Sequence, residues 1–224
     1  MELFVSIDPA FSSDSAGFCA GTFNCNLNGV NLIAVGEQRP PLTPDTIFAL
    51  VETLTTRVQD KTKSYGYPVR VIFDVSSNFS LALELARRVS VSNLALIKFH
   101  GADSHTPHPT PTLLGLVGGK STAAPVWGVS RRELIFSLEI ASAQGRVVLP
   151  LEDPEQTDGL AVLRKQLSEL SLHTTDSGKT IVESGAHDDV AIAVAQSLFV
   201  CERWPRLSPR RSAPSPQIRS AAWT

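Results

Sequence analysis

The stretch that most constrains the fold is Asp188 to Phe199, DDVAIAVAQSLF. It opens on two acids and then runs Val190, Ala191, Ile192, Ala193, Val194 and Ala195, so a helix built from it has almost no polar face. Such a helix needs cover on all sides. In a chain of 224 residues the natural cover is a central sheet, with the first turn of the helix near the end of that sheet.

The N-terminal half supplies the sheet. Leu3 to Ala10, LFVSIDPA, is a short apolar run that ends on Asp8, and Val69 to Asp74, VRVIFD, repeats the pattern. Runs of this length and composition suit strands buried on both faces, with the acid at the solvent-facing end. Ala16 to Asn24 and Val30 to Glu37 flank the turn Asn28-Gly29, which predicts a hairpin. A helix capped by Thr43 or Asp45 follows and reaches about Ser64, with Ile47, Leu50, Val51, Leu54 and Val58 on one face. A second helix, capped by Ser77 or Asn78, reaches about Val89, and Leu94 to Phe99 is a further strand. Helical crossovers make the later strands parallel. The expected fold is α/β, with a mixed five-stranded sheet, three antiparallel strands then parallel ones, and helices on both faces.

From His100 to Val126 the chain is rich in proline and glycine and reads as a long loop. It contains LLGLVGGKST, but Gly115 is separated from Gly119-Lys120 by only three residues. A phosphate-binding P-loop needs four. Ser130 caps a helix to about Gln144, with Leu134, Ile135, Leu138 and Ala141 as its buried stripe and Gly145 as its stop. Val147 to Leu149 is extended, Leu160 to Leu170 is helical, and a hairpin turns at Asp176-Ser177-Gly178. The folded domain is expected over 1–202. Residues 203–224 hold five arginines, four prolines and no acid, a composition that does not pack and that suits a disordered tail or a basic arm.

Composition sets further bounds. The formal charge is −2, so any nucleic-acid contact needs a local basic patch. Cys19, Cys25 and Cys201 are an odd set without metal spacing, which suits a reducing compartment. No run is long and apolar enough to span a bilayer, and the N-terminus lacks a signal-peptide pattern. These features predict a cytoplasmic protein with no membrane partner.

Asp8, Asp74 and the pair Asp188 and Asp189 would meet at one end of the sheet. Carboxylates gathered this way repel unless a cation neutralises them. Hard divalent ions such as Mg2+ or Mn2+ take carboxylate oxygens, and two of them can support phosphodiester cleavage. Taken singly, each acid also suits an ordinary role as a turn or cap residue. Neighbouring helical positions differ by about 100°, so the sequence does not choose between Asp188 and Asp189. Asp14 and His187 are adjacent candidates. Asp103, His105 and His108 sit in the proline-rich segment without a regular scaffold and read as ordinary surface residues.

The order of these segments resembles the nuclease domain of the large terminase subunit of tailed bacteriophages, which has the RNase H-like (RuvC-like) fold. The resemblance rests on Asp8 and Asp74 at strand ends, VIFDVSSNFSLALELARR, VSRRELIFSLEIASAQGRVVLP, LRKQLSEL and GAHDDVAIAVAQSL, and spans about Leu3 to Val200. It implies that Asp8, Asp74, Asp188 and Asp189 are the catalytic and metal-holding residues, with two divalent cations, Mg2+ or Mn2+. It also implies cleavage of double-stranded DNA in genome packaging. Lys120, Arg131 and Arg132 are candidate DNA contacts. Implied partners are DNA, a terminase ATPase domain, the small terminase subunit and the portal protein. The chain departs from the pattern at Val75-Ser76-Ser77-Asn78, where many relatives have a glycine-rich turn, and at Ile192, where many have an acid. It has no Walker motif, so an isolated or separately encoded nuclease domain is expected. A Holliday-junction resolvase and a catalytically silent docking module are the alternatives.

Overall fold

The computed structural model describes residues 1–9, 15–76, 79–89, 91–100, 108–117, 120–150, 157–174, 180–183 and 187–203. β1 (Glu2–Pro9) lies at the centre of one sheet, antiparallel to β2 (Ala16–Asn24) and parallel to β4 (Val69–Asp74). β3 (Gly29–Gln38) pairs antiparallel with β2, and β5 (Leu94–Phe99) pairs parallel with β4. These five strands are the sheet expected from the sequence.

The sheet itself has eight strands, in the order β6-β7-β5-β4-β1-β2-β3-β8. The segment expected to be a loop contributes β6 (Thr110–Val117) and β7 (Lys120–Val129), an antiparallel hairpin whose second strand runs parallel to β5. Proline and glycine concealed it. Pro111 and Pro125 stand opposite each other in register, and β6 is an edge strand, where proline's missing N–H is tolerated. At the other edge β8 (Val147–Val148) runs parallel to β3.

Helices cover both faces. α1 (Pro44–Thr62) starts at a capping box in which Thr43 and Thr46 bond each other's backbone N–H, and it ends at Lys63 in the left-handed conformation. α1 and α2 (Phe79–Arg88) pack on the face lined by Leu3, Val5, Ile7, Val71 and Phe73. The opposite face, with Phe4, Cys19, Ile72 and Ile97, carries α3 (Arg131–Ala143), α4 (Thr157–Glu169) and α5 (Asp189–Arg203). α5 is buried at every position from Val190 to Cys201, as its composition requires. Trp127 of β7 meets Phe199 of α5 edge-on at 5.8 Å between ring centroids. β9 (Ser171–Thr174) and β10 (Thr180–Glu183) form the expected hairpin, as a separate small sheet.

All three cysteines are free, and burial pushes the Cys19 thiol up to about 12. Among the described residues, no helix is long and apolar enough to cross a membrane. The tail at 204–224 and Asp14, Asp103 and His105 lie outside the described residues.

Candidate metal centre

Strand register builds the first half of the site. Ile7 of β1 lies beside Phe73 of β4 in a parallel pair, so the next rung brings Asp8 beside Asp74. Neighbouring strands are about 4.8 Å apart. Both side chains are buried. They point to the face that carries α5, because Phe4, four residues before Asp8, and Ile72, two before Asp74, belong to that core.

Helix α5 builds the second half. Asp8 pairs across β2 with Gly17, and Gly17 lies directly under the first turn of α5. A Cβ at Gly17 would stand 2.1 Å from the carbonyl carbon of Asp189 and 2.4 Å from the Val190 nitrogen. The absent side chain is therefore what lets the helix start against β2, at the residue that pairs with Asp8. Asp188 is the residue before the helix, and its carbonyl accepts from the Ile192 N–H at 2.9 Å. Gln166 of α4 fixes the same turn: its Oε1 accepts from the Ala191 N–H at 3.0 Å, and its Nε2 donates to Glu37 of β3 at 3.2 Å.

Asp74, Asp188 and Asp189 are thus within electrostatic reach of Asp8, and Glu37 within reach of Asp189. Asp8 is pushed well above its ordinary value, first by burial, then by the charges of Asp74 and Asp189, with a smaller push from Asp188; Arg131 acts the other way. Asp189 is pushed up to about 6 by burial and by Asp188, with Glu37 adding to the rise and His187 and Arg131 opposing it. Burial also raises Asp74, but hydrogen bonds to its carboxylate hold it back. Its Oδ1 accepts from the Ser76 N–H at 2.9 Å and the Ser76 hydroxyl at 2.5 Å, and Ser76 Oγ accepts from the Phe99 N–H at 2.7 Å.

Arg131, the first residue of α3, forms a salt bridge to Asp188 Oδ1. Oδ2 of Asp188 and Oδ2 of Asp189 are buried with no hydrogen-bond partner. Unpartnered buried carboxylate oxygens are the donor set a hard divalent cation takes. The residues therefore fit such an ion chemically. Among the described residues, no group of three or more His, Cys, Asp and Glu lies together in an arrangement that could hold a metal ion as it stands.

The other sequence candidates separate. Arg131 and Arg132 stand together at the N-terminus of α3, beside the acids through Arg131. His187 is exposed and next to the pair. His108 is exposed, two residues ahead of β6. Lys120 is not brought to the acids. β7 runs parallel to β5, Trp127 pairs with Ile97 at the level of Asp74, and Lys120 is at the opposite end of β7. Seven strand residues span about 23 Å.

No model of a protein family matches the sequence, and no curated protein matches it. The fold does have matches among solved structures. The large terminase nuclease from thermophilic phage G20c, with bound magnesium, shares 14% identity at a TM-score of 0.56, over 88% of this chain and 80% of that one. The human cytomegalovirus terminase nuclease domain, manganese-soaked, shares 16% identity at 0.57, over 89% and 82%. The Thermus phage P74-26 large terminase nuclease domain shares 16% at 0.52, over 89% and 79%. The chain thus has the RNase H-like fold of the terminase nuclease domains.

Proposed function

We propose that the chain is a metal-dependent endonuclease that hydrolyses double-stranded DNA, as the nuclease of a genome-packaging terminase does. The observation that carries the reading is the convergence of Asp8, Asp74, Asp188 and Asp189 from two strands and one helix, with two buried carboxylate oxygens unpartnered. The shared fold supports it, since structures of that fold include nucleases with bound magnesium or soaked in manganese.

Asp8, Asp74, Asp188 and Asp189 would hold two divalent cations, Mg2+ or Mn2+. Such ions activate water and stabilise the leaving oxygen of a phosphodiester. The chain's own residues do the rest. Ser76 locks one oxygen of Asp74, which leaves the other to face the site. Gln166 and Gly17 hold the first turn of α5 at the depth that keeps Asp189 beside Asp8. The partial positive charge at the start of α5 favours ionised Asp188 and Asp189. Arg131 and Arg132, with the N–H groups of the first turn of α3, form the basic spot at the rim where a DNA phosphate would approach. In packaging the domain would act on DNA delivered by a terminase ATPase, beside the small subunit and the portal, in the host cytoplasm.

The test is cleavage of supercoiled plasmid in Mn2+, Mg2+ or EDTA, beside Asp8→Asn. Nicking and linearisation in either metal, none in EDTA, and a loss of at least about a hundredfold in the variant are expected. Equal cleavage by Asp8→Asn would sink the reading. A strong preference for four-way junctions over linear duplex would point instead to a resolvase.

A further inference from the structure

Arg131 is in an unfavourable place for a cation. It occupies the first position of α3, where the helix presents its own partial positive charge. Ser130 caps that turn, its side chain accepting from the Glu133 N–H at 3.2 Å, so the helix start is fixed and Arg131 is not there by fraying. What offsets the cost is Asp188. The guanidinium bonds Oδ1 of a carboxylate whose side chain is only 5% exposed, while the Arg131 side chain is 48% exposed. One partner is buried in the fold and the other is half-exposed. The second oxygen of Asp188 is buried and has no partner, so the arginine fills only half of what this carboxylate can bind.

We propose that Arg131 is the built-in counter-ion of the metal-free acid cluster, and that it competes with a divalent cation for Asp188. The proposal rests on the metal-centre reading above. Without metal, Arg131 keeps the start of α5 attached to a site that would otherwise be repelled by its own charge. When a cation takes Asp188, the guanidinium turns out to the rim, where its exposed half already lies. A single residue then links metal loading to a freed phosphate-binding group.

The experiment is calorimetric titration of Mn2+ into the full chain stripped with EDTA, as parent, Arg131→Gln and Arg87→Gln. Arg87 has the same 48% side-chain exposure and lies at the end of α2, so it controls for the loss of one positive charge. Arg131→Gln should bind Mn2+ about three- to tenfold more tightly than the parent, the worth of one half-exposed ion pair. It should also melt at a lower temperature in EDTA, and Arg87→Gln should leave Mn2+ affinity unchanged. If the parent binds Mn2+ and Arg131→Gln binds it equally or more weakly, the counter-ion role is overturned while the metal centre stands. If neither binds Mn2+, both fall together. If Arg131→Gln does not fold, Arg131→Lys decides. A shorter, more strongly hydrated cation should hold Asp188 less well and leave Mn2+ binding tighter than in the parent. Equal or weaker binding overturns the proposal.

Discussion

The face of the sheet that α5 covers has a charged group at each end, and the two ends are built differently. At the start of β1 and β4, Glu2 and Arg70 form a buried ion pair at 3.0 Å, with side chains 4% and 1% exposed. At the far ends of the same strands lie Asp8 and Asp74, joined by Asp188 and Asp189, with one half-exposed arginine against them. Between them lie Phe4, Ser6 and Ile72, over about 20 Å of strand. The strands, the helix and the depth of burial are common to both ends. One end is neutral within the fold, and the other keeps surplus negative charge. Burial therefore does not by itself produce the surplus; the fold has the means to cancel charge and uses it only at the Glu2 end. A balanced pair is architecture, and the unbalanced cluster is the feature on which the proposed function rests.

The largest effect expected from breaking this contrast is at Gly17. Gly17→Val puts a side chain where the Asp189 backbone lies and drives α5 off the acid end alone. A shift of about 1 Å there should cost at least a hundredfold in plasmid cleavage, and overpacking about 1–3 kcal/mol in a urea melt. Wild-type cleavage by this variant would show that the close approach does not position the acids. Next is the other end. Arg70→Met leaves Glu2 buried beside an apolar side chain and should destabilise by about 3–5 kcal/mol, whereas Arg70→Met with Glu2→Leu should recover most of it. Cleavage per folded molecule should be unchanged in both, and a cleavage defect in the double variant would erase the distinction between the ends.

A smaller effect is the pH profile. Asp8, Asp74 and Asp189 have raised proton affinity when folded. Each therefore favours the folded state below the ordinary carboxyl range, and that contribution is lost as pH rises, for Asp189 through about 6. In EDTA the parent should lose stability relative to Asp189→Asn between about pH 4 and 7, and saturating Mg2+ should remove the difference. Parallel melting curves would mean that the cluster carries no surplus charge. The smallest change is Ser76→Ala, which unlocks Asp74 and should lower cleavage about tenfold with little loss of stability. No change in cleavage would make Ser76 a mere turn residue.

Much of this was legible because each acid ends an apolar run. LFVSID and VRVIFD announce buried strands with an acid at the mouth, and an all-apolar helix behind Asp188 and Asp189 has nowhere to go but onto the sheet. Glu37 and Gln166 were missed. Nothing local distinguishes them from surface residues, and only strand register with the placement of α4 brings them to the first turn of α5. Arg131 was visible as a basic helix start, but its pairing with Asp188 depends on the packing of α3 beside α5. The departure at Ser76 also gains a reason. A hydroxyl there bonds Asp74 and the Phe99 N–H together, which glycine would not do. The hairpin shows the reverse: proline and glycine suggest a loop over this segment, and the paired strands β6 and β7 place Lys120 at the end of β7 away from the acids.

Ser6 of β1 touches Gln196 of α5 across 190 positions of sequence. Within this sequence the central strand precedes every other described element, and the helix that completes its face is made after all of them. Contacts this far apart in the chain form late and slowly. A nascent or prematurely terminated polypeptide accordingly holds Asp8 and Asp74 without Asp188 and Asp189. The same topology that gathers the four acids keeps the two pairs apart until α5 has been made and has packed onto the sheet.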